Sequence, residues 1–162
     1  MLKRLLFIAG ITFTPLLYAS SPVYIFTQDS YKELLANNDN AFIMVLWSLD
    51  CPPCIEELSM LGDVYHKTDN LNLVLVSTDS LSRMAEINQQ LIASGLSAID
   101  SWVFDSIPIP RLRYSIDPGW YGELPRSYFF TKNHSRKALS GRLNAEQIMS
   151  WLKNNSQVQT YR

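Results

Sequence analysis

The only two cysteines of this 162-residue chain, Cys51 and Cys54, stand three positions apart with Pro52 and Pro53 between them. Such a pair can be a redox dithiol, half of a metal site or an inert coincidence. A bridge across three residues closes a very short loop and constrains the unfolded chain little, so it is a poor structural staple. That favours a working dithiol. A structural zinc ion takes four ligands, and the chain offers besides the cysteines only His66 and His134, neither at finger-like spacing and each in a polar stretch. No metal site is expected on that count. Copper or haem handling, with His134 as the one further ligand, stays open as an alternative, as does an inert pair.

The stretch WSLDCPPCIEEL, residues 47–58, reads as the end of a strand followed by the start of a helix. Cys51 then stands at the helix N-terminus. Pro52 takes the first helical position, where a missing N–H costs nothing and a fixed φ helps. The helix dipole and its free N–H groups favour an anion there, so a Cys51 thiolate is stabilised and its reactivity rises. Two features temper this. The prolines remove two donors, leaving the Cys54 and Ile55 N–H groups nearest the sulfur, and Asp50 adds a like charge beside it. A less stabilised thiolate makes a less oxidising disulfide. The expectation is a reducing protein.

Two continuous apolar runs, residues 41–48 (AFIMVLWS) and 71–78 (LNLVLVST), suit strands buried on both faces. One helix lies between them, running to about residue 67 with Gly62 inside it, so they form a βαβ unit with a right-handed crossover. Around this unit the pattern predicts a short edge strand at residues 23–26, a helix capped by Asp29 to about residue 36, and a turn at residues 37–40. A helix over residues 81–94, capped by Asp79 or Ser80 and ended by Gly95, follows. A short strand at residues 101–105 precedes a mostly looped stretch, residues 107–125, with one helical turn around residues 111–114. A hairpin of residues 126–132 and 136–141 and a final amphipathic helix capped by Asn144, with Ile148, Trp151 and Leu152 inward, close the chain. The order is that of an α/β fold with a mixed central sheet flanked by helices.

Hydrophobic residues make up 47% of the chain, enough for one sizeable core, and the net charge is −1, which gives no basic face for nucleic acid. The first residues stand apart. Lys3 and Arg4 precede an uncharged apolar stretch at residues 5–17, and Tyr18, Ala19 and Ser20 make a cleavage region. Residues 1–19 therefore read as an export signal, or as an uncleaved anchor, and residues 20–162 as the exported domain. The stretch is short for a spanning helix, which needs about 20 apolar residues. The expected location is periplasmic or otherwise outside the cytoplasm.

The element order, the buried strand ending in Trp47 and the Cys51-Pro-Pro-Cys54 helix start resemble the thioredoxin-like superfamily, most of all its exported TlpA/ResA-like branch. Glu57, three residues after the second cysteine, matches that branch. Glu123–Phe130 (ELPRSYFF) looks like the segment in which the family sets a cis-proline, here Pro125, before the hairpin strand and facing the cysteines. The resemblance spans about residues 23–153. It implies thiol–disulfide exchange in which Cys51 attacks and Cys54 resolves, with the Cys51–Cys54 disulfide as the redox group and no other cofactor. It further implies that Leu124, Pro125 and Arg126 flank the site, that Trp120 and Tyr121 lie near the same rim with Trp47 beside it, and that the Leu124 backbone can pair with a substrate peptide. The implied partners are client proteins with disulfides or thiols and a membrane thiol reductant of the DsbD or CcdA type, with the chain itself a monomer. The chain also departs from the pattern. Asp50 stands where relatives often carry tryptophan, Ser59 where a proline often bends the helix, and Val45 where ordinary thioredoxins bury an acid. Glu57 is then the remaining group to assist proton transfer at Cys54, the alternative being a solvated helix residue beside Glu56. A dedicated cytochrome c maturation factor shares this chemistry and differs only in its client.

Overall fold

The computed structural model describes residues 21–69 and 71–156. Its elements are β1 (Val23–Phe26), α1 (Ser30–Ala36), β2 (Phe42–Trp47), α2 (Pro52–Lys67), β3 (Leu73–Ser77), α3 (Met84–Ala93), β4 (Ser101–Phe104), α4 (Ile109–Ile116), β5 (Arg126–Phe130), β6 (Arg136–Ser140) and α5 (Ala145–Ser156). They build one six-stranded sheet in the order β1-β4-β3-β2-β5-β6. The four strands from β1 to β2 run parallel, and β5 and β6 join antiparallel at the other side.

Every residue of β2 is buried, as a strand must be when helices cover both faces of the sheet. Its side chains alternate. Ile43, Val45 and Trp47 pack with Leu58 and Leu61 of α2, Leu91 of α3 and Ile148 of α5. Phe42, Met44 and Leu46 pack with Leu34 of α1 and with Leu112 and Ile116 of α4. The two apolar layers fix which way each strand end points, and so where the cysteine segment emerges.

Gly62 does not interrupt α2. A Cβ there would lie 1.8 Å from the Ser94 carbonyl oxygen, so the glycine lets the end of α3 approach the helix closely. Asn144 caps α5 as expected: its side chain accepts from the Gln147 N–H at 2.9 Å while the Gln147 side chain accepts from the Asn144 N–H at 2.9 Å.

Three local expectations need correction. Asp29 makes no side-chain cap on α1; its backbone carbonyl accepts from Lys32 and Glu33 instead. The helix expected over residues 81–94 begins as a 3-10 turn, Leu81–Arg83, capped by the Ser80 hydroxyl, before α3 proper. The stretch expected to be mostly loop contains the eight-residue helix α4, with Pro110 in its first turn. The export signal expected at residues 1–19 lies outside the described residues, and no described helix is long and apolar enough to cross a membrane.

Candidate active site

Strands β2 and β3 are parallel and in register at Trp47 and Ser77, while β5 runs against β2 and starts opposite Leu46 with Arg126. The residues just after β2, just after β3 and just before β5 therefore meet at one end of the sheet. Cys51 is the N-cap of α2, with extended backbone, and Pro52 and Pro53 fill the first two helical positions. Cys51 and Cys54 are joined in a disulfide, with their Cα atoms 5.2 Å apart. Cys51 is half-buried and Cys54 wholly buried, so Cys51 is the sulfur that a second molecule can reach. The Cys54 and Ile55 N–H groups both donate to the Cys51 carbonyl, at 2.9 and 3.2 Å. With prolines ahead of them, the first turn keeps no N–H free of a backbone partner for the Cys51 sulfur.

Glu57 lies on the same face of α2 as Cys54 and is 0% exposed, so it is not a solvated helix residue. One carboxylate oxygen accepts from the Leu143 N–H at 2.9 Å and the other from the Ser127 hydroxyl at 3.3 Å. No cation pairs with it among the described residues. Burial pushes its pKa up from 4.5 to about 7, although the bonds from Leu143 and Ser127 pull the other way. Ser127 lies opposite Val45 in the sheet, so Glu57 reaches from the helix toward the strand position that carries no acid here.

A second acid supports the other cysteine. The Asp79 carboxylate accepts from the Ser48 hydroxyl (3.0 Å), the Leu49 N–H (2.9 Å), the Ser77 hydroxyl (2.7 Å) and the Arg83 guanidinium (3.1 Å). It thereby fixes the turn that leads into Cys51, where the Cys51 N–H donates to the Ser48 carbonyl. Arg83 also pairs with Asp50 at 2.8 Å and Glu86 at 3.0 Å. Bonds to Glu86 and Asp50 hold its pKa above the ordinary arginine value. The Asp50 charge beside Cys51 is thus partnered, which the sequence reading did not foresee.

On the facing side the Leu124–Pro125 peptide is cis. Pro125 is buried and its carbonyl accepts from the Gly141 N–H at 3.0 Å, while the Leu124 N–H and carbonyl have no partner among the described residues. Arg126 turns inward. It bonds Asp117 at 3.1 Å and Tyr128 at 3.2 Å, and its guanidinium lies over the Tyr128 ring. Burial opposes the charge on Asp117, but bonds from the Gly119 N–H, the Tyr128 hydroxyl and Arg126, with the Arg136 charge, hold its pKa below the ordinary carboxylate value.

Two residues expected at the rim are buried. Trp47 is 1% exposed because strand alternation turns it into the α2 layer. Trp120 is 4% exposed, sits in the α1/α4 layer and donates its indole N–H to the Glu123 carbonyl at 2.9 Å. Neither offers a surface to a substrate; Tyr121 does, being 88% exposed. His134 sits in the β5–β6 turn, beside the Phe42 end of β2, and its ring nitrogen lies 2.8 Å from the Asn38 carbonyl. It is a strand length, about 17–20 Å, from the cysteines and cannot share a metal with them. No cluster of three or more histidine, cysteine or acidic groups able to hold a metal occurs among the described residues. The sequence reading missed Arg83, Ser127 and Leu143 and took Asp79 only as a helix cap. The β2–β3 pairing carries a signal for Asp79, since residues two beyond Trp47 and two beyond Ser77 must be neighbours.

No family model and no curated protein matches the chain. Solved structures do. A thioredoxin-related protein from Neisseria meningitidis serogroup B superposes with a TM-score of 0.59 at 18% identity, over 76% of this chain and 90% of that one. A secreted Mycobacterium tuberculosis disulfide oxidoreductase homologous to E. coli DsbE gives 0.57 at 10% identity, over 74% and 84%. A secreted thiol-disulfide isomerase from Corynebacterium glutamicum gives 0.56 at 16% identity, over 72% and 71%. At these identities the likeness is one of fold, and the fold is thioredoxin-like.

Proposed function

We propose that this chain, a thioredoxin-like fold with a Cys51–Cys54 disulfide, is an exported thiol–disulfide oxidoreductase that reduces disulfides in client proteins. The observation that carries the reading is the asymmetry of the pair: Cys51 half-exposed at the start of α2, Cys54 buried one turn below. Export is supported by the basic and apolar pattern of residues 3–17 and by neighbours described as secreted.

In the cycle the Cys51 thiolate attacks one sulfur of a client disulfide. A Cys51–client bond forms and the other client sulfur leaves as thiolate, taking a proton. Cys54, deprotonated with Glu57 as acceptor, then attacks the Cys51 sulfur. The Cys51–Cys54 bond forms and the client leaves with both sulfurs reduced. Two electrons have passed from the dithiol to the client. A membrane thiol carrier of the DsbD or CcdA type returns them by the same exchange in reverse, and no organic cofactor or metal takes part. A pKa of about 7 suits Glu57 to hold and release a proton near neutral pH. The unpartnered Leu124 N–H and carbonyl suit strand-like pairing with a client segment.

The direction rests on the first turn of α2. Its prolines and its spent N–H groups leave the Cys51 thiolate little helix stabilisation, and a weakly stabilised dithiol is a good reductant. An isomerase, which one structural neighbour is described to be, uses the same first step but leaves the client oxidised. The test is capture. A Cys54→Ser variant expressed with its export segment should accumulate disulfide-linked client complexes, and Cys51→Ser should accumulate none. Equal capture by both variants, or by neither, would overturn the reading.

A further inference from the structure

Arg83 lies on the turn before α3, and nothing in the exchange chemistry requires a cation there. Its guanidinium nevertheless reaches across to the cysteine turn and bonds the carboxylate next to the attacking cysteine, Asp50, at 2.8 Å. The same nitrogen bonds buried Asp79 at 3.1 Å, and Asp79 holds the Leu49 N–H at 2.9 Å. The other side of the guanidinium binds Glu86 at 3.0 Å. Asp50 is 77% exposed and would otherwise be free to swing its charge toward the sulfur of residue 51.

We propose that Arg83 is a positioning residue for thiol–disulfide exchange: it draws the Asp50 carboxylate toward the α3 turn and so sets the charge felt by the Cys51 thiolate. This rests on the reading of Cys51 as the attacking sulfur. The charged groups around that sulfur are few. Asp50, Asp79 and Glu86 surround Arg83; Glu57 lies buried on the Cys54 face of α2; and on the β5 side Glu123 and Asp117 are paired with Arg126. Removing Arg83 frees the exposed Asp50 carboxylate, on the residue next to Cys51, to turn its charge toward the sulfur. In a water-like dielectric a unit charge about 6–8 Å away shifts a pKa by about half a unit. The Cys51 thiol pKa should therefore rise by about half a unit or more in Arg83→Met, and fall by a similar amount in Asp50→Asn.

The experiment follows alkylation of the reduced protein by iodoacetamide against pH, with the modified cysteine identified by mass. Below the pKa, Arg83→Met should react about threefold slower at Cys51 and Asp50→Asn about threefold faster. Because Arg83 acts through Asp50, Arg83→Met made in the Asp50→Asn background should shift the profile by less than half as much. Arg83→Lys, which keeps the charge, should restore most of the rate. At about 1 M salt, where the screening length is about 3 Å, the difference between Arg83→Met and wild type should largely vanish, which a purely structural role would not predict. The proposal is overturned if the Arg83→Met profile coincides with wild type, or if its shift is the same with and without Asp50. Alkylation needs no client, so a failure here is separate from a failure of the Cys54→Ser capture.

Discussion

Two buried carboxylates stand behind the two cysteines, and their surroundings differ. Asp79, behind the turn to Cys51, accepts from two hydroxyls, one N–H and one guanidinium. Glu57, behind Cys54, accepts from one N–H and one hydroxyl and has no cation among the described residues. A buried charge is tolerable when paired and fully bonded, and costly otherwise. Asp79 therefore holds backbone in place through its hydrogen bonds. Glu57 is poised between protonated and ionised forms, with its pKa pushed up to about 7. One acid shapes the turn into Cys51, and the other, on the Cys54 face of α2, can hold and release a proton near neutral pH. The same chemical group does two jobs because its donors differ in number and charge.

The largest effect that would break this contrast is expected at Asp79. Asp79→Ala leaves the Leu49 N–H and the inner side of Arg83 without their acceptor. The Ser77 hydroxyl loses its acceptor as well, and each donor left unsatisfied costs about 1–3 kcal/mol, so the loss should reach about 3 kcal/mol or more, read as a lowered urea midpoint of the oxidised protein at pH 7. A loss below about 1 kcal/mol would mean that the turn into Cys51 does not depend on this side chain.

Next is the pH dependence that Glu57 imposes. Its pKa is raised from 4.5 unfolded to about 7 folded, so between those values the folded state binds more protons than the unfolded. Its contribution to stability is then most favourable below about pH 4.5 and is lost as pH rises through 7. The total change is about 3 kcal/mol at about 1.4 kcal/mol per unit. Glu57→Gln keeps the shape and removes the titration. The stability difference between oxidised wild type and this variant should move by about 3 kcal/mol between pH 4 and pH 8, in favour of the variant at the higher pH. A difference that stays constant with pH would show that Glu57 does not titrate in the folded state.

The smallest effect is at Ser127, whose hydroxyl lowers the Glu57 pKa. Ser127→Ala should cost about 1 kcal/mol and carry the Glu57 midpoint, followed by carboxyl NMR, further above 7. A midpoint that falls would reverse the assigned sense of that hydrogen bond.

The regions that read clearly in the sequence are those where one physical rule dominates. The apolar runs of β2 and β3 can only be doubly covered strands, and Pro52 behind Cys51 can only open a helix. The α4 helix is hard to read in the sequence because Pro108 and Pro110 look like loop residues, yet prolines in a first turn cost no hydrogen bond. Leu112 and Ile116, four apart and both buried, mark its inward face. Trp47 and Trp120 stand close in sequence to the cysteines and the cis-proline, yet alternation along β2 and the α4 packing turn both inward. Arg83 was illegible because its role depends on side chains 33 and four residues away, which the parallel β2–β3 pairing brings together.

The central claim is that Cys51 and Cys54 form a reducing dithiol, and the reduction potential of the pair measures it directly. Equilibrating the protein against a series of glutathione or dithiothreitol ratios and counting free thiols at each gives the value. The first turn of α2, with its two prolines and its N–H groups spent on the Cys51 carbonyl, predicts a potential near that of thioredoxin, about −270 mV. A potential near that of the strong oxidants, about −120 mV, would contradict it.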